Sequence, residues 1–123
     1  MKILALDTST EFCSAALYLD GKIFNKEILA ERSHSEIILP MIKELLEEAA
    51  LVLQQLDGIA FGAGPGSFTG LRIACGVAQG LAYATNLPVI GISTLEAVAQ
   101  RIEKQKIIVA LDARMGEIYL AAY

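Results

Sequence analysis

The chain has 123 residues, 54% of them apolar, and a formal net charge of −4. That length fits one domain, or one domain and the start of a second, and is enough to build a core without disulfide or metal. The acidic balance and the scatter of the basic residues, with Arg101, Lys104 and Lys106 the only loose cluster, exclude nucleic-acid binding through a concentrated basic face. Cys13 and Cys75 lie far apart with no CxxC or Cys/His pattern and read as buried thiols of a cytosolic protein. Ile3 to Leu6 is too short for a signal-peptide core, and glycine, asparagine and proline interrupt the longest weakly charged stretch. The expectation is a soluble, cytoplasmic chain with no membrane span.

KILALDTS opens as a buried strand, and CSAALYLDG with KIFNKEIL reads as a hairpin turned by Asp20-Gly21. A helix follows, with Ile37, Ile38, Met41, Ile42, Leu45, Leu46 and Ala49 at three- and four-residue spacing and Glu44, Glu47 and Glu48 opposite. Ser33 and Glu36 predict a capping box at its start, and Pro40 predicts a kink. LDGIAFGAG is the next strand, a helix runs from about Thr69 to Thr85, and PVIGIS is another buried strand. TLEAVAQRI reads as a short helix capped by Ser93 or Thr94. The order βββαβαβα implies an α/β fold, a mixed sheet with helices packed on it. After Gln105 the pattern restarts with two strands around Asp112-Ala113-Arg114-Met115-Gly116.

The stretch Gly62 to Tyr83 carries one charged residue, Arg72. Gly62, Gly64, Gly66 and Gly70 between strand and helix invite a phosphate-loop reading, but no Lys follows and no GxGxxG spacing is met. The alternative is a tight turn that uses glycine for unusual backbone angles. On the helix, Leu71, Ala74, Cys75, Ala78, Leu81 and Ala82 form one face, suited to the sheet. The opposite face should be charged, and instead offers Thr69, Arg72, Gly76, Gln79, Gly80 and Tyr83. Glycine inside a helix costs about 1 kcal/mol relative to alanine. Close approach of a second backbone is one compensating reason for Gly76 and Gly80, and Tyr and Arg are enriched at interfaces. Cover by a further domain of the same protein, or incidental glycines, are the competing readings.

LALDTS, HSEIILPMI, GAGPGSFTGLRI, GISTLEA and LDARMGEIY, in order along the whole chain, resemble the TsaB (YeaZ) proteins of bacteria. The resemblance implies a fold of the actin/sugar-kinase/Hsp70 type (ASKHA, ribonuclease H-like), made of two related lobes. Residues 1–105 would be the first lobe, and 106–123 the opening hairpin of a second, truncated one. It implies a non-catalytic partner of TsaD, the subunit that transfers threonylcarbamoyl to adenosine 37 of tRNA. TsaE, an ATPase, joins them, and TsaC supplies the threonylcarbamoyl-adenylate; tRNA is contacted only indirectly.

Docking would use the two helices, from about Ser35 to Ala50 and from Thr69 to Thr85, with Ile38 and Ile42 joining the second helix's outer residues. The isolated chain would form a homodimer through the same face. Catalytic relatives hold a metal through HxxxH on the first helix; here His34 is the only histidine and Ile38 stands four later. No metal, no cofactor and no peptidase chemistry, despite the family's glycoprotease (M22) label, are therefore implied. Capping or surface placement is the expectation for His34. Asp7, Thr8 and Ser9, with Thr10, correspond to the first phosphate loop of the fold and are expected to be vestigial, with turn formation as the plain alternative. Asp112, Arg114 and Glu117 are expected in a hairpin with a salt bridge.

Overall fold

A computed structural model of the chain describes residues 1–93, 108–114 and 117–122. The chain opens with β1 (Lys2–Asp7), β2 (Phe12–Leu19) and β3 (Lys22–Leu29). Helix α1 (His34–Glu48), β4 (Gly58–Gly64), α2 (Phe68–Thr85) and β5 (Val89–Ser93) follow. The sheet order is β3-β2-β1-β4-β5, antiparallel through β3, β2 and β1 and parallel through β1, β4 and β5. This is the mixed α/β sheet that the element order implies. Asp20 and Gly21, at φ 48° and 95°, turn the β2–β3 hairpin with the two positive φ angles that a two-residue type I′ turn requires.

Both helices lie on one face of the sheet. There Leu4 and Leu6 of β1, Leu17 of β2 and Ile59 of β4 meet Ile38, Met41, Ile42 and Leu45 of α1 and Ala74, Ala78 and Ala82 of α2. The side chains of α2 that reach bottom are all alanines spaced four apart, so its backbone lies close to the strands. The opposite face carries Ala5, Ala16 and Ala60 between Asp7, Ser14, Asn25 and Glu27, under a cleft of about 420 Å³.

One local expectation changes. The capping box at α1 does not form: Ser33 sits at φ −101°, ψ 19° with no side-chain cap bond. Its amide is held by Ala30 in a turn, and its carbonyl accepts from Glu36 and Ile37. The backbone is thus already near-helical, whereas a capping hydroxyl needs extended geometry. Pro40 lies exposed within an unbroken α1. The helix ends at Glu48, where Ala50 takes φ 54° and closes the last turn by donating to Glu47.

The strands β6 (Ile108–Arg114) and β7 (Glu117–Ala122) pair antiparallel as a separate two-stranded sheet, the hairpin expected after Gln105. The expected helix from Ser93 or Thr94 and the side chains of Asp112, Arg114 and Glu117 lie outside the described residues.

Lys26 ties β3 to α1, its Nζ 2.8 Å from Glu48 Oε1 and 3.5 Å from Glu44 Oε2. The hydrogen bond to Glu48 holds the ammonium above its ordinary value of 10.5 against the opposing effect of desolvation, with the charge of Glu48 and the contact with Glu44 adding to the rise. A cation with a raised folded pKa stabilises fully below its unfolded value and loses that contribution as pH rises through the folded one. The urea midpoint is therefore expected to fall above pH 10.5, and to fall less in Lys26→Met. An identical fall in both would show that the cluster contributes nothing, as many exposed pairs do.

Candidate functional site

The loop after β1 and the glycine loop after β4 meet at the ends of two neighbouring parallel strands. Ser9 N donates to Asp7 Oδ1 at 2.7 Å, and Ser67 N donates to Ser9 O at 2.8 Å. The Thr8 hydroxyl donates to the Gly70 carbonyl. Thr8 and Ser9 are 0% and 4% exposed. The glycines fit this contact one for one. A Cβ on Gly62 would lie 2.7 Å from Asp7 Oδ2, on Gly66 2.7 Å from Ser9 Cβ, and on Gly70 1.8 Å from Thr8 O. Only Gly64, at φ 103°, is there for its backbone angle.

The N-terminus of α2, where an anion would seat, is capped by Ser67, whose side chain accepts from Gly70 N and whose carbonyl accepts from Leu71 N. The Asp7, Thr8 and Ser9 loop is thus joined to α2 by its own polar atoms. Burial, and then the negative charge of Asp7, push the Cys13 thiol on β2 up, away from nucleophilic use.

His34 is neither on the surface nor a side-chain cap. It is 6% exposed, and its Nε2 lies 2.7 Å from the Thr10 carbonyl, fixing the start of α1 to the β1–β2 loop. Among the described residues no three His, Cys, Asp or Glu side chains converge as a metal site.

The outer face of α2 is open. Thr69, Arg72, Gly76, Gln79, Gly80 and Tyr83 are all exposed, Tyr83 at 93%. A Cβ on Gly76 or Gly80 would meet nothing within 4 Å, so no contact among the described residues accounts for either glycine. Ile38 and Ile42 do not belong to this face. At 0% and 3% exposed they are core residues, because the apolar stripe of α1 faces the sheet. Leu39, 51% exposed, and Pro40 stand on the outer side of α1 instead.

Phe68 was also missed from sequence. It is 73% exposed, and the Arg72 guanidinium lies 5.4 Å from its ring centroid. The four-residue spacing of an aromatic and an arginine at a helix start was the available signal. No helix among the described residues is long and apolar enough to cross a membrane.

The model of the family described as "TsaD: tRNA N6-adenosine threonylcarbamoyltransferase" matches residues 25–123. Two similar relatives are named tRNA threonylcarbamoyladenosine biosynthesis protein TsaB. The one from Haemophilus influenzae is 50% identical over 98% of this chain and 53% of its own length. The one from Escherichia coli is 46% identical over 100% of this chain and 55% of its own. A solved structure of YeaZ from Pseudomonas aeruginosa superposes with a TM-score of 0.92 at 47% identity, covering 99% of this chain and 59% of that one. The chain spans about half the length of the curated relatives it matches.

Proposed function

Because this chain belongs to the threonylcarbamoyltransferase family, on its TsaB (YeaZ) side, we propose that it is a non-catalytic subunit of a cytoplasmic complex that modifies tRNA. It holds TsaD, the transferring subunit, against the outer face of α2 and the exposed edge of α1, with TsaE joining the assembly and tRNA contacted only indirectly. Residues 1–105 form the docking lobe, and 106–123 open a second. The observation that carries this reading is the pair Gly76 and Gly80. They stand with open space above them, beside a fully displayed Tyr83, on a helix whose outer face has one charge. Glycine inside a helix costs about 1 kcal/mol relative to alanine, which close approach of a partner would offset, and Tyr and Arg are enriched at interfaces.

The absence of a catalytic role is supported by the loop of Asp7, Thr8 and Ser9. Two donors a phosphate could use there, the Thr8 hydroxyl and the Ser9 amide, are engaged by the chain itself, and Gly70 leaves no gap above Thr8. Purified chain mixed with TsaD is expected to co-elute on gel filtration, and to bind neither ATP nor magnesium alone by calorimetry. Micromolar ATP binding by the isolated chain would overturn the non-catalytic assignment, and separate elution from TsaD would overturn the docking assignment.

A further inference from the structure

Resting on the docking reading above, we propose that Arg72 sets the choice of partner. The surface that covers α2 carries a carboxylate facing this guanidinium, and Phe68 holds the guanidinium in place to receive it. Phe68, Arg72, Gly76 and Gly80 stand four apart and form one ridge on the exposed side of α2. Side chains on a helix lean toward its N-terminus, and the Arg72 guanidinium accordingly lies 5.4 Å from the Phe68 ring centroid. A cation–π contact restrains a long side chain without consuming its N–H donors. Among the described residues no carboxylate pairs with Arg72. The neighbouring sequence offers none either, since no Asp or Glu stands between Asp57 and Glu96.

Docking changes the status of this cation. In the chain alone Arg72 is exposed and hydrated. A backbone seated on Gly76 passes about 6 Å along the helix from Arg72, one turn away, and takes it out of water. A guanidinium buried without an anion is strongly disfavoured. The helix supplies no anion, so the covering surface must. The planar fork of Arg matches a carboxylate through two parallel hydrogen bonds. The partner that fits is therefore a protein surface that packs closely on the glycines, with an Asp or Glu one turn away and a recess for the 73% exposed Phe68 ring. A surface that is neutral or basic at that point leaves Arg72 unpaired or repelled, so the same residue rejects it.

The test is calorimetric titration of the full chain with TsaD at low and high salt. Arg72 and Phe68 are exposed, so thermal melts of their variants should match wild type. Arg72→Gln should weaken binding about thirtyfold and flatten its dependence on salt, while Arg72→Lys, which keeps the charge, should lose less than about tenfold. In a Phe68→Leu background the loss on Arg72→Gln should shrink to about tenfold, because an unrestrained guanidinium contributes less. Arg72→Glu should abolish binding, and lysine substitution of TsaD carboxylates, one at a time, should find one that restores it. Gly80→Trp, a neutral obstruction, separates this proposal from the reading beneath it. Binding lost in Gly80→Trp but untouched in Arg72→Gln overturns the charge pairing alone. Binding untouched in Gly80→Trp, or absent in wild type, overturns the docking face and the pairing with it. Equal losses in Arg72→Gln and Arg72→Lys, an unchanged salt dependence, an undiminished loss in the Phe68→Leu background, or an Arg72→Glu chain that no lysine on TsaD rescues would each overturn the pairing.

Discussion

Gly70→Ala is expected to destabilise the fold by about 4 kcal/mol, a large share of the 5–15 kcal/mol that holds a typical domain. The added methyl carbon would lie 1.8 Å from the Thr8 carbonyl oxygen, and the obstruction is backbone on both sides. A flexible side chain could move aside, but two main chains fixed by β1 and α2 must separate. Separation also breaks the bond from the Thr8 hydroxyl to the Gly70 carbonyl and leaves a buried polar group without its partner. The thermal midpoint should drop by roughly 15–30 °C for a domain of this size. Gly76→Ala is the matched control. With no atom near its Cβ, it should gain up to about 1 kcal/mol from helix propensity. If Gly70→Ala melts within a few degrees of wild type, the packing of the two loops is not what requires that glycine.

Gly76→Glu is expected to keep the wild-type melting temperature within a degree or two and to weaken binding to TsaD about a hundredfold or more. The folded chain has room for the side chain, because position 76 opens to solvent. A partner helix seated against bare backbone has none, and would have to bury an unpaired carboxylate as well. Tyr83→Ala should weaken the same complex by a smaller factor, as loss of an aromatic anchor does. The measurement is a binding isotherm for each variant beside its melting curve. A Gly76→Glu chain that still elutes with TsaD would remove the helix face from the docking account, whatever its melt shows.

The contrast between these two glycines marks how far the residues could be read in advance. Both sit in one weakly charged segment, and local reasoning treats each as a turn former or a helix defect. Gly76 was legible because helical periodicity alone assigns its direction, and the structure places it outward. Gly70 was not, since its reason is Thr8, 62 positions earlier. The Asp20-Gly21 hairpin was legible for the same reason as Gly76, being decided within four residues.

Local reasoning fails where tertiary contacts decide. The family resemblance puts Ile38 and Ile42 at a docking face, but their spacing is the ordinary signature of a core stripe, and the sheet buries them. The exposed Leu39 beside them stands off that stripe, which is the signal that marks it. The Ser33 cap failed because the turn from Ala30 and the bond between His34 and Thr10 set the backbone there before the hydroxyl could.

The position of β1 also dictates an order of events during synthesis. Its flank toward β2 is completed by the next few residues, so a meander can assemble as soon as Leu29 has left the ribosome. Its other flank waits for β4, and the end of the strand waits for Gly70. Until β4 arrives the growing polypeptide carries a three-stranded sheet with a bare edge on β1, its underside covered only in part by α1. Contacts of such long sequence separation form late and leave incomplete chains prone to aggregation. The interval from Leu29 to Gly70 is therefore one in which the growing chain exposes a strand edge that a later segment covers.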